Sequence, residues 1–173
     1  TRFLEAARLL HQRRPRLHCI LPAAPGYFAQ LQNTVQAAGL GEAVTVLDGQ
    51  SHEALTACDV TLIASGTATL EAALLKRPMV ISYAVHPLSA RIMRSKQLQP
   101  WVGLPNILSR DFVVPELLQE DATPPKLADA VEAWLDDPIR CAAVRQRFTD
   151  LHHTLRRDTA TLSAHAIQQV LAG

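Results

Sequence analysis

Apolar and polar positions along the chain alternate between a helical period and short unbroken runs. Phe3, Leu4, Ala7 and Leu10 recur at three and four residues, which predicts an amphipathic helix ending by Arg14-Pro15. Leu17 to Leu21 reads as a short strand and Pro22 to Gly26 as a turn-rich loop. Phe28, Leu31, Val35 and Ala38 mark a second helix stopped at Gly39. Val44 to Leu47 is a strand ending in Asp48-Gly49, and Ser51 is expected to cap a short helix through Cys58. The run Val60 to Ala64 is short enough for a strand buried on both faces. Three small residues, Ser65-Gly66-Thr67, break it. Ala68, Leu70 and Ala72 to Leu75 then predict a helix with Lys76 and Arg77 in its last turn and Pro78 as its stop. Met79 to Tyr83 is the strand that follows.

Beyond Tyr83 the pattern changes. His86-Pro87 interrupts the chain, and Leu88 to Leu98 reads as a helix whose Arg91, Arg94 and Lys96 form a solvated face. Trp101 to Leu104 is expected as a last short strand running into Pro105-Asn106-Ile107-Leu108. Pro115 to Gln119 is read as one or two helical turns. Thr123-Pro124-Pro125 starts a helix bearing Leu127, Ala130, Val131, Trp134 and Leu135 on one face. Asp137-Pro138 repeats that start signal for a long helix through about Leu155. Asp158 opens the final one, with Leu162, Ala166, Ile167, Val170 and Leu171. Strict alternation of strand and helix predicts an α/β, Rossmann-like, doubly wound parallel sheet over residues 1–136, its first strand expected before Thr1. Residues 137–173 are expected to be C-terminal helices that pack back on the sheet or reach to another domain or a partner.

Composition narrows the classes. The 173 residues are 48% hydrophobic and 19% charged, ordinary for a globular domain with buried strands. A net charge of +1 gives no electrostatic case for nucleic-acid binding. No apolar run reaches the ~18 residues of a membrane span. Cys19, Cys58 and Cys141 are scattered and lack CxxC spacing, so they read as small reduced hydrophobes. The seven histidines show no ligand spacing, and no metal is expected. Gly39-Leu40-Gly41 superficially resembles a dinucleotide fingerprint, but it follows a helix and precedes a strand, the reverse of that motif. The start at Thr1, inside a helical pattern, reads as a piece of something longer.

The candidate chemistry sits in the turn at Ser65-Gly66-Thr67. A helix start leaves backbone N–H groups unpaired, and its dipole makes that end an anion site. Gly66 would let an anion approach, and the hydroxyls of Ser65, Thr67 and Thr69 would add donors. Glu71, about one turn along, could accept hydrogen bonds from a vicinal diol such as a ribose. The plainer reading stands beside it, in which Ser or Thr caps the helix and Glu71 complements its dipole. Asn106 follows a proline at a predicted strand end, where α/β sheets bind ligands; a buried turn asparagine is the alternative. His86 reads as a turn residue.

Several segments together, VLDG at Val46, ASGTATLE at Ala64, RPMVISY at Arg77, LPNIL at Leu104 and VPELLQE at Val114, resemble the lipid-A-disaccharide synthase family. The FTDLHHTLR stretch near the end is similar too, and the likeness runs in order along the whole chain. It implies the UDP-donor half of a B-type glycosyltransferase. Such an enzyme moves 2,3-diacylglucosamine from UDP to 2,3-diacylglucosamine 1-phosphate (lipid X) with inversion. Carried over by position, Ser65, Gly66 and Thr67 would face the diphosphate, Glu71 the ribose, and Asn106 the phosphates. Asp48 and Gly49 would lie near the uracil, and Gln119 near the sugar. The resemblance implies no cofactor and no catalytic residue in this half, the general base being expected in an N-terminal domain outside it. It implies work at the cytoplasmic face of the inner membrane with peripheral attachment, and leaves a homodimer open. Ala84 departs from the family, which usually has a basic residue there. Other readings are a different UDP-sugar transferase or epimerase, and a non-catalytic nucleotide-binding module.

Overall fold

The computed structural model describes residues 2–64, 66–86 and 99–172. The predicted helix at 88–98, with its three basic residues, lies outside them, as does Ser65. The chain runs α1 (Arg2–Arg13), β1 (Cys19–Ala23), α2 (Phe28–Ala37), β2 (Val44–Asp48), α3 (Ser51–Ala57), β3 (Thr61–Ile63), α4 (Thr67–Leu74) and β4 (Met79–Tyr83). It continues through α5 (Leu104–Ser109), β5 (Glu116–Leu118), a 3₁₀ turn (Gln119–Asp121), α6 (Pro124–Leu135), α7 (Pro138–Leu155) and α8 (Thr159–Ala172). All strand pairs are parallel, as an alternating α/β chain requires. The sheet is divided, however, into a β1-β2 ladder and a β3-β4-β5 ladder.

The core forms on β4, whose Met79, Val80 and Ile81 are fully buried. Leu127, Val131 and Trp134 of α6 pack on them, joined by Val144 and Phe148 of α7, so the long helix belongs to the same core as the sheet. Trp134 donates its indole N–H to the Met79 carbonyl at 3.0 Å, and Arg140 stacks 4.0 Å over its ring. A smaller cluster of Ala7, Val35, Leu40 and Val44 holds α1 and α2 to β2. Arg13 and Arg14 tie α1 to Asp129, Glu132 and Asp136 across the surface. The last helix, α8, is exposed along its length.

Several boundaries differ from the pattern, each for a local reason. Leu17 is still turning, its N–H on the Arg14 carbonyl, so β1 begins at Cys19 and runs on through Pro22 to Ala23. Proline fits there because alternation points its missing N–H away from β2. Ser51 is the first helical residue rather than a cap; Gln50 before it takes the left-handed conformation (φ 58°) without a side-chain cap. β3 is three residues long and half-buried, not buried on both faces. The fourth helix stops at Leu74, ahead of Lys76 and Arg77. Lys76 adopts φ 60°, and the N–H groups of Lys76 and Arg77 return to the carbonyls of Ala73 and Ala72. That closure is usually built on glycine.

The segment from Trp101 is the largest departure. Trp101 to Leu104 is not a strand, because the Glu116 carboxylate accepts the N–H groups of Val102 and Gly103 that a ladder would need. Helix α5 follows at once, with Pro105 in its first turn. Pro115 to Gln119 is a strand and a 3₁₀ turn instead of a helix. The Ile81 N–H bonds the Pro115 carbonyl at 3.0 Å and draws the segment onto the sheet edge.

Candidate functional site

Parallel strands end on a common edge, and ligands of open α/β sheets bind outside that carboxyl edge. Asp48, Gly66 and Gln119 each lie at or just past the end of a strand, β2, β3 and β5 in turn. Gly66 joins β3 to α4. Its φ of 123° and ψ of −166° fall in a region that side-chain-bearing residues scarcely enter. A Cβ added there would meet nothing within 4 Å among the described residues. The glycine is therefore required by the backbone, and the described residues leave the space above it open.

The turn is held from beneath. Thr69, fully buried, donates both its N–H and its hydroxyl to the Gly66 carbonyl, at 3.1 and 2.7 Å. This corrects the expectation that its hydroxyl adds a donor for a ligand. It also replaces side-chain capping, since no side chain caps α4. Thr67 and Ala68 open the helix, so their N–H groups have no carbonyl one turn back to bond. Thr67 is exposed, and Glu71, four residues on, shares its face. Glu71 is exposed, and its carboxylate has no hydrogen bond or ion pair among the described residues. An eight-residue helix thus offers two backbone donors, a hydroxyl and a carboxylate along one open ridge.

At the neighbouring strand ends, Asp48 is exposed and Gly49 takes φ 69° while donating its N–H to Ala23 at 3.0 Å. Gln119 takes φ 49° and accepts the Val85 N–H at 3.3 Å, which ties the end of β5 to the chain leaving β4.

Asn106 is elsewhere. It is fully buried, donates its amide N–H groups to the Val114 carbonyl and the Glu116 carboxylate, and accepts the Val114 N–H. Val114 lies four residues before the end of β5, about 13 Å from the carboxyl edge. The expected strand-end position is corrected: Asn106 lies in α5, and its amide holds the loop between α5 and β5. Its partner Glu116 escaped sequence reasoning, although both stand in the motifs LPNIL and VPELLQE. Gly103 escaped as well; a Cβ there would come within 2.2 Å of Ile81 and 3.2 Å of the Glu116 carboxylate. A glycine before LPN and a glutamate after VP were the available signals, and neither shows its partner locally.

A family model described as lipid-A-disaccharide synthetase matches residues 1–170. The chain is 57% identical to a lipid-A-disaccharide synthase of Albidiferax ferrireducens, over 99% of this chain and 45% of that protein. It therefore spans about half the length of the curated relatives it matches. Among solved structures it resembles a sucrose-phosphate synthase from Thermosynechococcus elongatus (TM-score 0.65, 17% identity, 99% of this chain and 43% of the other). It also resembles a glycosyltransferase involved in lipopolysaccharide biosynthesis (TM-score 0.51, 11% identity, 97% and 51%). At those identities the two structures speak to fold, and the fold is that of B-type glycosyltransferases.

Proposed function

Because the chain belongs to the lipid-A-disaccharide synthetase family, we propose that it forms the donor half of an inverting transferase that passes 2,3-diacylglucosamine from UDP to 2,3-diacylglucosamine 1-phosphate. The diphosphate rests on the open turn at Gly66, against the N–H groups of Thr67 and Ala68 and the Thr67 hydroxyl, with Ser65 beside it. Glu71 accepts the ribose hydroxyls, Asp48 and Gly49 border the uracil, and Gln119 approaches the sugar. Breaking the sugar–phosphate bond builds negative charge on the departing UDP. A fixed helix start stabilises that charge without reorganising, so the reading calls for no metal. The general base that deprotonates the acceptor hydroxyl comes from outside this chain. The whole enzyme works as a peripheral protein at the cytoplasmic face of the inner membrane.

The observation that carries the reading is Gly66, held in a conformation reserved for glycine, with open space, unpaired donors and an unpaired carboxylate along one ridge among the described residues. Calorimetry of UDP binding to the full-length protein tests it. Glu71→Gln is expected to weaken UDP about tenfold, close to the ~1.4 kcal/mol of one charge-assisted hydrogen bond. Unchanged affinity in a correctly folded variant would overturn the assignment. Comparing acylated with plain UDP-sugars as donors separates this activity from that of other UDP-sugar enzymes.

A further inference from the structure

Two threonines stand two residues apart in the first turn of α4, and the helix sends them to opposite sides. At about 3.6 residues per turn they lie roughly 200° apart. Thr67 is exposed on the ridge it shares with Glu71, whereas Thr69 is fully buried. Burying a hydroxyl is costly unless it is bonded, and an apolar side chain of the same shape would fill the space without that cost. What the Thr69 hydroxyl adds is therefore its bond. It meets the Gly66 carbonyl at 2.7 Å, and the same oxygen takes the Thr69 N–H at 3.1 Å. Threonine reaches back three residues in one of its two ordinary helical rotamers.

The Gly66 carbonyl and the Thr67 N–H belong to one planar trans peptide, so they point in opposite directions. Drawing the carbonyl down into the helix turns the Thr67 N–H up, into the space that the described residues leave open above Gly66. Gly66 does not enforce this by itself. Glycine tolerates backbone angles closed to other residues, and its φ of 123° and ψ of −166° lie outside the wells that hold them. Rotation of that single peptide plane would exchange the two groups and put a carbonyl oxygen where the N–H stands. We infer that Thr69 is a positioning residue for the transfer reaction: its buried hydroxyl locks the Gly66–Thr67 peptide with the Thr67 N–H facing the diphosphate. The inference rests on the donor reading above. The lock aims a donor at the bound anion and keeps a carbonyl dipole of the wrong sign away from it. Such a donor contributes most when it is fixed before charge develops, because nothing has to reorganise as the sugar–phosphate bond breaks and UDP leaves with the electron pair. Thr69 lies beneath the turn and acts only through that peptide.

Thr69→Val and Thr69→Ser in the full-length protein separate the lock from packing. Valine keeps the branched shape and loses the hydroxyl; serine keeps the hydroxyl and loses the methyl. Calorimetry is expected to show UDP binding weakened about fivefold or more in Thr69→Val, the effect of one hydrogen bond, and within about twofold of the parent in Thr69→Ser. In steady-state assays Thr69→Val should lower kcat by a similar factor while KM for the donor changes less, since the charge on the leaving group grows in the transition state. Parent-like affinity and kcat in Thr69→Val would overturn the inference. Losses of affinity that simply follow melting temperature in both variants would overturn it too, because that is what a purely structural threonine gives. Thr69→Ala against Thr69→Ser repeats the comparison at smaller volume, whether or not valine is accommodated. Affinity is again expected to follow the hydroxyl, and equal affinities in that pair would refute the lock. If Glu71→Gln weakens UDP and Thr69→Val does not, the donor reading stands and only the lock is lost; a parent that binds no UDP removes both.

Discussion

Gly66 and Thr69 work as a pair, one setting the shape of the turn and the other holding it from below. Gly66→Ala places a Cβ on a backbone conformation that costs about 1–3 kcal/mol for residues with side chains. No described residue crowds the position, so the cost there is backbone strain, relieved only by moving the turn. The variant is expected to melt lower and to bind UDP more weakly, read by thermal unfolding and calorimetry. Asn106 makes the opposite kind of prediction. Asn106→Ala leaves the Val114 N–H and C=O without partners in the interior, at about 1–3 kcal/mol for each unsatisfied group. Stability is expected to fall, with any loss of UDP affinity following the loss of fold rather than exceeding it. These residues also show what the sequence could disclose. Asp137 and Asp158 were legible as helix starts because their partners, Arg140 and Thr161, lie three residues away. Asn106 read equally well as ligand or turn residue, since its partners lie eight and ten residues on and only the fold brings them to it.

Among the elements, legibility follows how much of an element's stability is local. β4, α7 and the start of α6 were readable because apolar run and proline agree, with the Asp137 cap added at α7. The segment from Trp101 to Gln119 was not, because its conformation is imposed from outside. Glu116 draws in the N–H groups of Val102 and Gly103, and β4 converts Pro115 to Leu118 from expected helix to edge strand. Lys76 gives a similar case at the end of α4. Its left-handed backbone brings its ammonium to the Leu74 carbonyl and to the His152 ring on α7. The Lys76 charge, followed by desolvation, lowers the His152 pKa below the ordinary 6.5. The unfolded chain therefore takes up the proton at higher pH than the folded one. Stability from this contact is full above about 6.5 and declines as pH falls from there towards the folded pKa. Between pH 7 and 5, melting temperature is expected to drop more in the parent than in His152→Gln, which cannot protonate. Equal slopes would show that the pair is not coupled.

At the scale of the whole molecule, two features are left without cover in the described residues: the gap between the two ladders and the outer helix α8. Leu162, Ile167, Val170 and Leu171 are 52%, 60%, 80% and 81% exposed on that helix, which Asp158 nevertheless caps. A single exposed apolar residue such as Ile139 needs no explanation, but Ile167, Val170 and Leu171 on one side of one helix form a patch. The sequence pattern anticipated the helix and its apolar positions; it could not say what covers them, because nothing in a periodic face identifies its partner. The expectation that this helix packs on something outside the chain is therefore tested in the full-length protein. Burying one such side chain stabilises by about 1.5–3 kcal/mol, so Ile167→Asp should destabilise the full-length protein by a comparable amount. It should also open α8 to limited proteolysis, whereas Gln168→Asp, one residue along, should do neither. If both substitutions are tolerated alike in the full-length protein, the face is solvent-exposed there too. If Ile167→Asp changes only the oligomeric state, the cover comes from another molecule.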